Sequence, residues 1–156
     1  MPTAALIIVV AVVAVVRSGQ PVEETAPGAT GLAHYSTNDG ATWFTDSVNK
    51  LPPLKKDGKK MVRAYVYRDG SGKEFVSHLE RYTAEAERSL AATAALPPEQ
   101  QGMEDPASAA GGLDGMEVKR PKDKVWVRAS DPRGQKIMQP LSPGGKSEEL
   151  TFVVPK

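Results

Sequence analysis

Strict alternation of apolar and polar residues marks the segment VRAYVYR, which runs from Val62 to Arg68. A period of two is the signature of a β-strand with one buried face. The following DGSG (69–72) supplies residues that tolerate a positive φ, and KEFVSHLE (73–80) returns with a second strand-like run. The pattern therefore predicts a β-hairpin, which is the strongest hairpin signal in the chain.

After this hairpin the sequence changes to a helical pattern. Thr83 is placed as an N-cap, acidic residues occupy the first turn, and AEAERSLAATAAL (84–96) is rich in strong helix formers. The proline pair at 97–98 ends the helix. A capping box of Ser77 with Glu80 would begin the helix earlier. We prefer Thr83 because it leaves the preceding strand intact.

Beyond the helix, strand-like patterns return in KVWVR (124–128) and ELTFVVP (149–155), and Asp131-Pro132 is typical of the start of a short helix. The small, polar, Gly-rich composition of residues 97–115 predicts a disordered loop. Strands that precede and follow one main helix along the chain predict a small α+β domain with an antiparallel sheet, spanning residues 32–156.

The first sixteen residues, MPTAALIIVVAVVAVV, carry no charged side chain. As a helix they would measure roughly 24 Å, and local thinning of a ~30 Å hydrocarbon core accommodates that length. We predict an N-terminal transmembrane helix over residues 1–17. A cleaved signal peptide is the alternative, but its basic n-region and small-x-small cleavage site are not evident. A pilin-like leader ranks lower, since the segment has neither a basic leader nor an early acid.

Residues 18–31 contain two Pro and three Gly and predict a flexible linker. Arg17, on the C-terminal side of the anchor, is the only basic residue close to it, and the positive-inside rule taken literally would place the following domain in the cytoplasm. One arginine is a weak signal, however, and long domains translocate largely regardless of charge. We expect a single-pass membrane protein whose C-terminal domain lies outside the cytoplasm.

Composition narrows the classes of function. Lys and Arg number 20 against 19 Asp and Glu, and a net charge of +1 gives no electrostatic case for a nucleic-acid partner. The absence of cysteine excludes disulfides, thiolate metal sites and cysteine nucleophiles. Neither His34 nor His78 belongs to a metal-ligand spacing, no G-x-S-x-G elbow is present, and GSGK (70–73) lacks the other residues of a phosphate loop. We predict no catalytic residue, metal site or cofactor, and we favour a protein that is not an enzyme.

Two groups of residues are candidates for binding. The stretch from Lys50 to Arg63 holds six bases and one acid and suits an anionic polymer or lipid head groups. The polar side of the strand at 62–68 carries tyrosine and arginine, which are favoured at interfaces. The candidate binding residues are Lys55, Lys56, Lys59, Lys60, Arg63, Tyr65 and Tyr67. A solvated loop and an ordinary sheet face are the alternatives.

The stretch STNDGATW, from Ser36 to Trp43, resembles the Asp-box (BNR-like) motif S-x-D-x-G-x-T-W, with Asn38 at the usual aspartate position. An Asx side chain can accept hydrogen bonds from the turn that follows it, and the glycine supplies a conformation other residues avoid. The resemblance implies a hairpin device rather than an activity. Its structural residues would be Ser36, Asn38, Gly40, Thr42 and Trp43.

A wider resemblance covers residues 35–83 and 118–132, from YSTNDGATWF to VKRPKDKVWVRASDP. These segments look like small uncharacterised membrane-anchored proteins of planctomycete-type bacteria. The resemblance implies a membrane-anchored envelope protein and brings no known activity. We expect contact with the membrane through residues 1–16 and, as partner, an envelope protein or an anionic polymer. We expect a non-enzymatic structural or binding role. A small polymer-acting hydrolase that uses the Asp-box as scaffold is the alternative.

Overall fold

The computed structural model describes residues 30–100, 110–145 and 149–156. The predicted anchor and most of the predicted linker lie outside these residues, as do residues 101–109 of the predicted loop. The strands are β1 (Leu32–Ser36), β2 (Phe44–Ser47), β3 (Leu54–Lys56), β4 (Lys59–Arg68), β5 (Glu74–Tyr82), β6 (Met116–Lys119), β7 (Val127–Arg128) and β8 (Thr151–Phe152). The helices are α1 (Ala84–Ala94) and α2 (Pro132–Met138), with a 3₁₀ turn at Gly112–Gly115.

All eight strands form one antiparallel sheet, which gives an α+β architecture as the sequence predicts. The strand order is β2-β1-β4-β5-β6-β7, and both β3 and β8 also pair with β4. The long strand β4 is thus bonded to four neighbours. Strand β4 is therefore the central strand of the sheet.

The predicted hairpin at 62–80 is confirmed. Strands β4 and β5 pair from Arg63↔Glu80 to Arg68↔Glu74, with one register shift after Tyr65. The apolar positions of β4 enter the main core cluster, and Trp43 and Trp126 pack against it from outside the hairpin. The buried members of this cluster are Val62, Ala64, Val66, Val76 and Leu79.

Thr83 is the N-cap of α1, as predicted, because its hydroxyl accepts a hydrogen bond from the Ala86 backbone N–H at 3.1 Å. Only Ala86 is buried within this helix, so α1 is held to the sheet mainly through its first turn. The short helix predicted at Asp131-Pro132 is α2, with Pro132 in its first turn.

Three segments differ from the sequence predictions. The strand predicted over 149–155 is limited to β8, because only Thr151 and Phe152 pair with β4. Residues 110–115, which we included in a disordered loop, contain the 3₁₀ turn and the buried Ala110, and the Gly115 carbonyl accepts from Thr83 N–H at 2.9 Å. The strand predicted over 124–128 is limited to β7, since Val125 is 60% exposed and finds no strand partner there. Within the described ranges no helix is long and apolar enough to cross a membrane.

Candidate anion-binding hairpin

Strands β3 and β4 form a tight hairpin that projects four lysines. Asp57 and Gly58 connect the strands with φ of 50° and 75°, the pair of positive values that a two-residue type I′ turn requires. Directly opposed residues are Lys55↔Lys60 and Lys56↔Lys59. We call residues 54–61 the lysine hairpin. The Asp57-Gly58 dipeptide is a common sequence of such turns, but in the sequence it was assigned only to the basic stretch and not to a hairpin.

All four lysines of this hairpin are exposed. The segment KKDGKK (55–60) carries four positive charges and one negative, a formal charge of +3. Among the described residues, no carboxylate forms an ion pair with any of the four. The positive charge is therefore available to a ligand.

The base of the hairpin is fixed to the core. Leu54 pairs with Met61, and Met61 is only 2% exposed in a cluster with Ala33 and Tyr35. Lys56 Nζ lies 3.7 Å from the centroid of the Phe44 ring, a cation–π contact that engages the ammonium group of this lysine. The lysines accordingly extend from a rigid support rather than from a loose loop.

The predicted face of Arg63, Tyr65 and Tyr67 lies on β4, but its polar groups contact other parts of the protein. Arg63 donates to Val48 O at 2.9 Å and lies 3.6 Å from the Glu80 carboxylate. Tyr65 OH donates to Glu80 Oε2 at 3.0 Å. Tyr67 packs edge-on against Phe152. The face is thus partly covered, unlike the four lysines.

Arg63 and Tyr65 join two buried residues of β5, His78 and Glu80, in what we call the polar cluster. The His78 ring stacks on Tyr65 with centroids 4.3 Å apart, and its Nδ1 has no hydrogen-bond partner among the described residues. Burial lowers the pKa of His78 to about 3, aided by the positive charge of Arg120. Burial also raises the pKa of Glu80, against the opposing effects of Arg63 and Tyr65. Sequence reasoning missed this cluster because it depends on cross-strand pairing.

The Asp-box-like turn, Ser36–Trp43, connects β1 to β2. The Ser36 hydroxyl accepts from Gly40 N–H at 2.9 Å, and Asn38 Oδ1 accepts from Thr42 N–H at 2.9 Å. Asn38 Nδ2 also donates to Thr42 Oγ1 at 2.8 Å. The polar side chains of the motif therefore bond one another and the turn backbone, which supports a role in folding.

Asp39, at a position that the motif leaves undefined, connects this turn to β6 and to the residues that follow β6. Its carboxylate accepts from Lys122 N–H at 2.8 Å and pairs with Lys119 Nζ at 2.5 Å. A groove of about 640 Å³ lies between the turn, β5 and residues 120–122 and 141–145. Its basic lining residues are Lys73, Arg120 and Lys122, and Arg120 already donates to four oxygens, on Ser77, Lys136 and Gln139. That guanidinium is therefore structural.

The two histidines lie in strands, as expected. His34 Nε2 lies 3.1 Å from Val153 O in a partly buried contact, and burial lowers the pKa of His34. Neither histidine lines the 640 Å³ groove. In the part of the chain that the structure describes, no three His, Asp or Glu side chains come together in a way that could hold a metal ion.

Comparison with known proteins adds no family to this picture. No protein-family model, curated protein or solved structure matches the chain.

Proposed function

We propose that this protein is a single-pass, membrane-anchored, non-enzymatic domain of the cell envelope that binds an anionic ligand through the lysine hairpin. The observation that carries the proposal is the direct opposition of Lys55 to Lys60 and of Lys56 to Lys59 at an exposed tip. The anchor and the location outside the cytoplasm rest on the apolar run at residues 1–16 and on the resemblance to envelope proteins.

Like charges placed directly opposite each other destabilise a strand pair, by roughly 0.2–1 kcal/mol per pair. Two such pairs in one short hairpin oppose folding, and the acid within the hairpin, Asp57, lies in the turn rather than across from a lysine. An anion bound between the strands would turn this repulsion into attraction. A binding role thus explains an arrangement that folding alone does not favour.

The geometry of the remaining polar residues supports a role other than catalysis. Turnover needs an acid, a base and binding groups that converge on space for a substrate. His34 and His78 instead contact strand neighbours, and Arg120 bonds backbone and hydroxyl oxygens. The alternative, a small polymer-acting hydrolase, would draw on Glu80, whose raised pKa and buried position are features of general acids.

Two measurements on the full chain test the proposal. The chain should remain with membranes through a carbonate wash, and it should bind an immobilised polyanion such as dextran sulfate. Replacing all four hairpin lysines with Gln should weaken that binding at least tenfold. Recovery of the intact chain in the soluble fraction would contradict the anchor, and unchanged binding by the Gln variant would contradict the site. Hydrolysis of an envelope polymer that is lost in Glu80→Gln would establish the alternative.

A further inference from the structure

The lysine hairpin and the point where the chain enters the domain lie at opposite ends of the sheet. Tyr35 of β1 pairs with Arg63 of β4, and the strands are antiparallel. From the Tyr35–Arg63 pair, Thr30 lies five residues back along the chain of β1 and Gly58 lies five residues back along the chain of β4. Because the strands are antiparallel, these two directions are opposite. The extended part of this path runs from Leu32 to Tyr35 and from Arg63 to Lys59, seven residue steps that measure about 23 Å.

The entry end is fixed by contacts of its own. The Thr30 hydroxyl donates to Pro155 O at 3.4 Å, and Val48 N–H donates to Gly31 O at 3.0 Å. Strand β8 pairs with the Arg68 end of β4, so the C-terminus lies at this end as well. A tether entering at Thr30 therefore approaches the domain from the side away from the lysines.

From this geometry we infer that the lysine hairpin binds a linear polyanion located away from the lipid surface, and not the head groups of the membrane that holds the anchor. This inference rests on the proposed anchor and deepens the proposed function. The span of the domain between its entry end and the hairpin exceeds the roughly 8 Å over which a membrane surface potential decays at physiological salt.

The distribution of charge on the hairpin also favours a polymer. Opposed residues share a face, so Lys55 and Lys60 lie on one face of the ribbon and Lys56 and Lys59 on the other. A flat surface would meet one face, or would meet the apex, where Asp57 repels anions. A flexible chain of phosphate, sulfate or carboxylate groups can contact both faces. Lysine suits such a ligand because its ammonium acts as a point charge without a fixed geometry.

The experiment uses the full chain in phosphatidylcholine nanodiscs, with long-chain inorganic polyphosphate as the probe. The hairpin variant replaces the lysines of the hairpin with Gln, and a control variant removes the same charge at other exposed positions, Lys124, Arg133, Lys136 and Lys156. We expect polyphosphate binding to fall at least tenfold in the hairpin variant and less than threefold in the control. Equal losses would overturn the assignment of the site to the hairpin.

Orientation is measured on the same discs by energy transfer to acceptor-labelled head groups. The chain has no native cysteine, so Leu54→Cys can label the hairpin and Lys156→Cys the entry end. We expect stronger transfer from position 156 than from position 54, unchanged when phosphatidylglycerol replaces a third of the lipid. If energy transfer from position 54 rises with phosphatidylglycerol, and this rise is absent when the hairpin lysines are replaced with Gln, the hairpin docks on the membrane and the inference is overturned. Failure to enter the discs would instead contradict the anchor, while polyphosphate binding by the free chain would still test the hairpin.

Discussion

Gly40 and Gly58 share a backbone conformation but have different surroundings. Their φ angles are 79° and 75°, in the left-handed region that favours glycine. A Cβ at Gly40 would lie 3.2 Å from side-chain atoms of Pro121 and Val76, whereas a Cβ at Gly58 would meet nothing within 4 Å. Gly40 therefore lies where the Asp-box-like turn packs on the sheet, and Gly58 lies at an open hairpin tip.

Alanine substitutions at these two glycines distinguish the cost of backbone strain from the cost of disturbed packing. We expect Gly58→Ala to lower the free energy of unfolding by about 1 kcal/mol through left-handed strain alone. Gly40→Ala should cost about 2–4 kcal/mol, because Pro121 and Val76 must also move. Urea unfolding of both variants beside the parent measures the difference. Equal losses would mean that contact between the turn and β5 contributes nothing to stability, and the turn would then become a candidate for ligand binding.

His78 makes stability depend on pH in a direction that can be worked out. Its pKa of about 3 in the folded protein lies below the ordinary value of 6.5, so the unfolded chain binds the proton more readily. Stability is thus fully present above pH 6.5 and falls as the pH drops toward 3. The limiting slope is about 1.4 kcal/mol per pH unit. Glu80, with its raised pKa, acts in the opposite sense, losing its contribution as the pH rises through its folded pKa.

We therefore expect the free energy of unfolding to decrease from pH 7 to pH 5, and His78→Gln to remove most of that slope. His34→Gln is the matched control, because the chain has two histidines and the pKa of His34 is also lowered by burial. Urea unfolding at half-unit pH intervals measures the slope for each variant. If the pH dependence of the free energy of unfolding persists in His78→Gln and disappears in His34→Gln, the proton is taken up by His34 and the prediction for His78 is wrong.

At the scale of elements, the lysine hairpin combines a favourable turn with unfavourable pairs. The conflict predicts that Lys60→Glu stabilises the protein, since it replaces the Lys55↔Lys60 repulsion with an opposite-charge pair. The expected gain is about 0.2–1 kcal/mol and should shrink in high salt. Lys60→Gln, which removes repulsion without adding attraction, should give a smaller gain. Thermal unfolding at low and high salt measures both, and destabilisation by Lys60→Glu at low salt would contradict the pairing.

Local patterns were sufficient for the elements that depend on neighbouring residues. The alternation at 62–68 predicted β4, and the Thr83 hydroxyl caps α1 as its position indicated. The polar cluster was not predictable in the same way, because His78 and Glu80 meet Tyr65 only once the strands take a register with a shift after that residue. The structured 110–115 segment was missed for a related reason. Its small residues look unable to form a core, yet Ala110 is buried against Tyr82 and Ala86.

At the scale of the whole molecule, residues 110–145 belong to the same sheet as residues 30–100. Strand β6 pairs with β5 from Leu79↔Lys119 to Tyr82↔Met116. Arg81 and Glu117 form an ion pair at 2.9 Å across these strands. Ala110 adds a buried contact to α1, so the two parts are joined by many interactions besides the chain through residues 101–109.

These contacts predict that the chain stays assembled after it is cut between them. A specific protease site inserted between Asp105 and Pro106 should be cleaved readily, since small and polar residues predominate from 101 to 109. The two fragments should separate on a denaturing gel yet elute as one native peak at the parent mass, with the thermal midpoint lowered because the cut removes the connection that keeps them at high effective concentration. A scrambled, uncleavable insert controls for the insertion itself. Fragments that separate under native conditions would show that the pairing of β5 with β6, together with burial of Ala110, is too weak to unite the sheet.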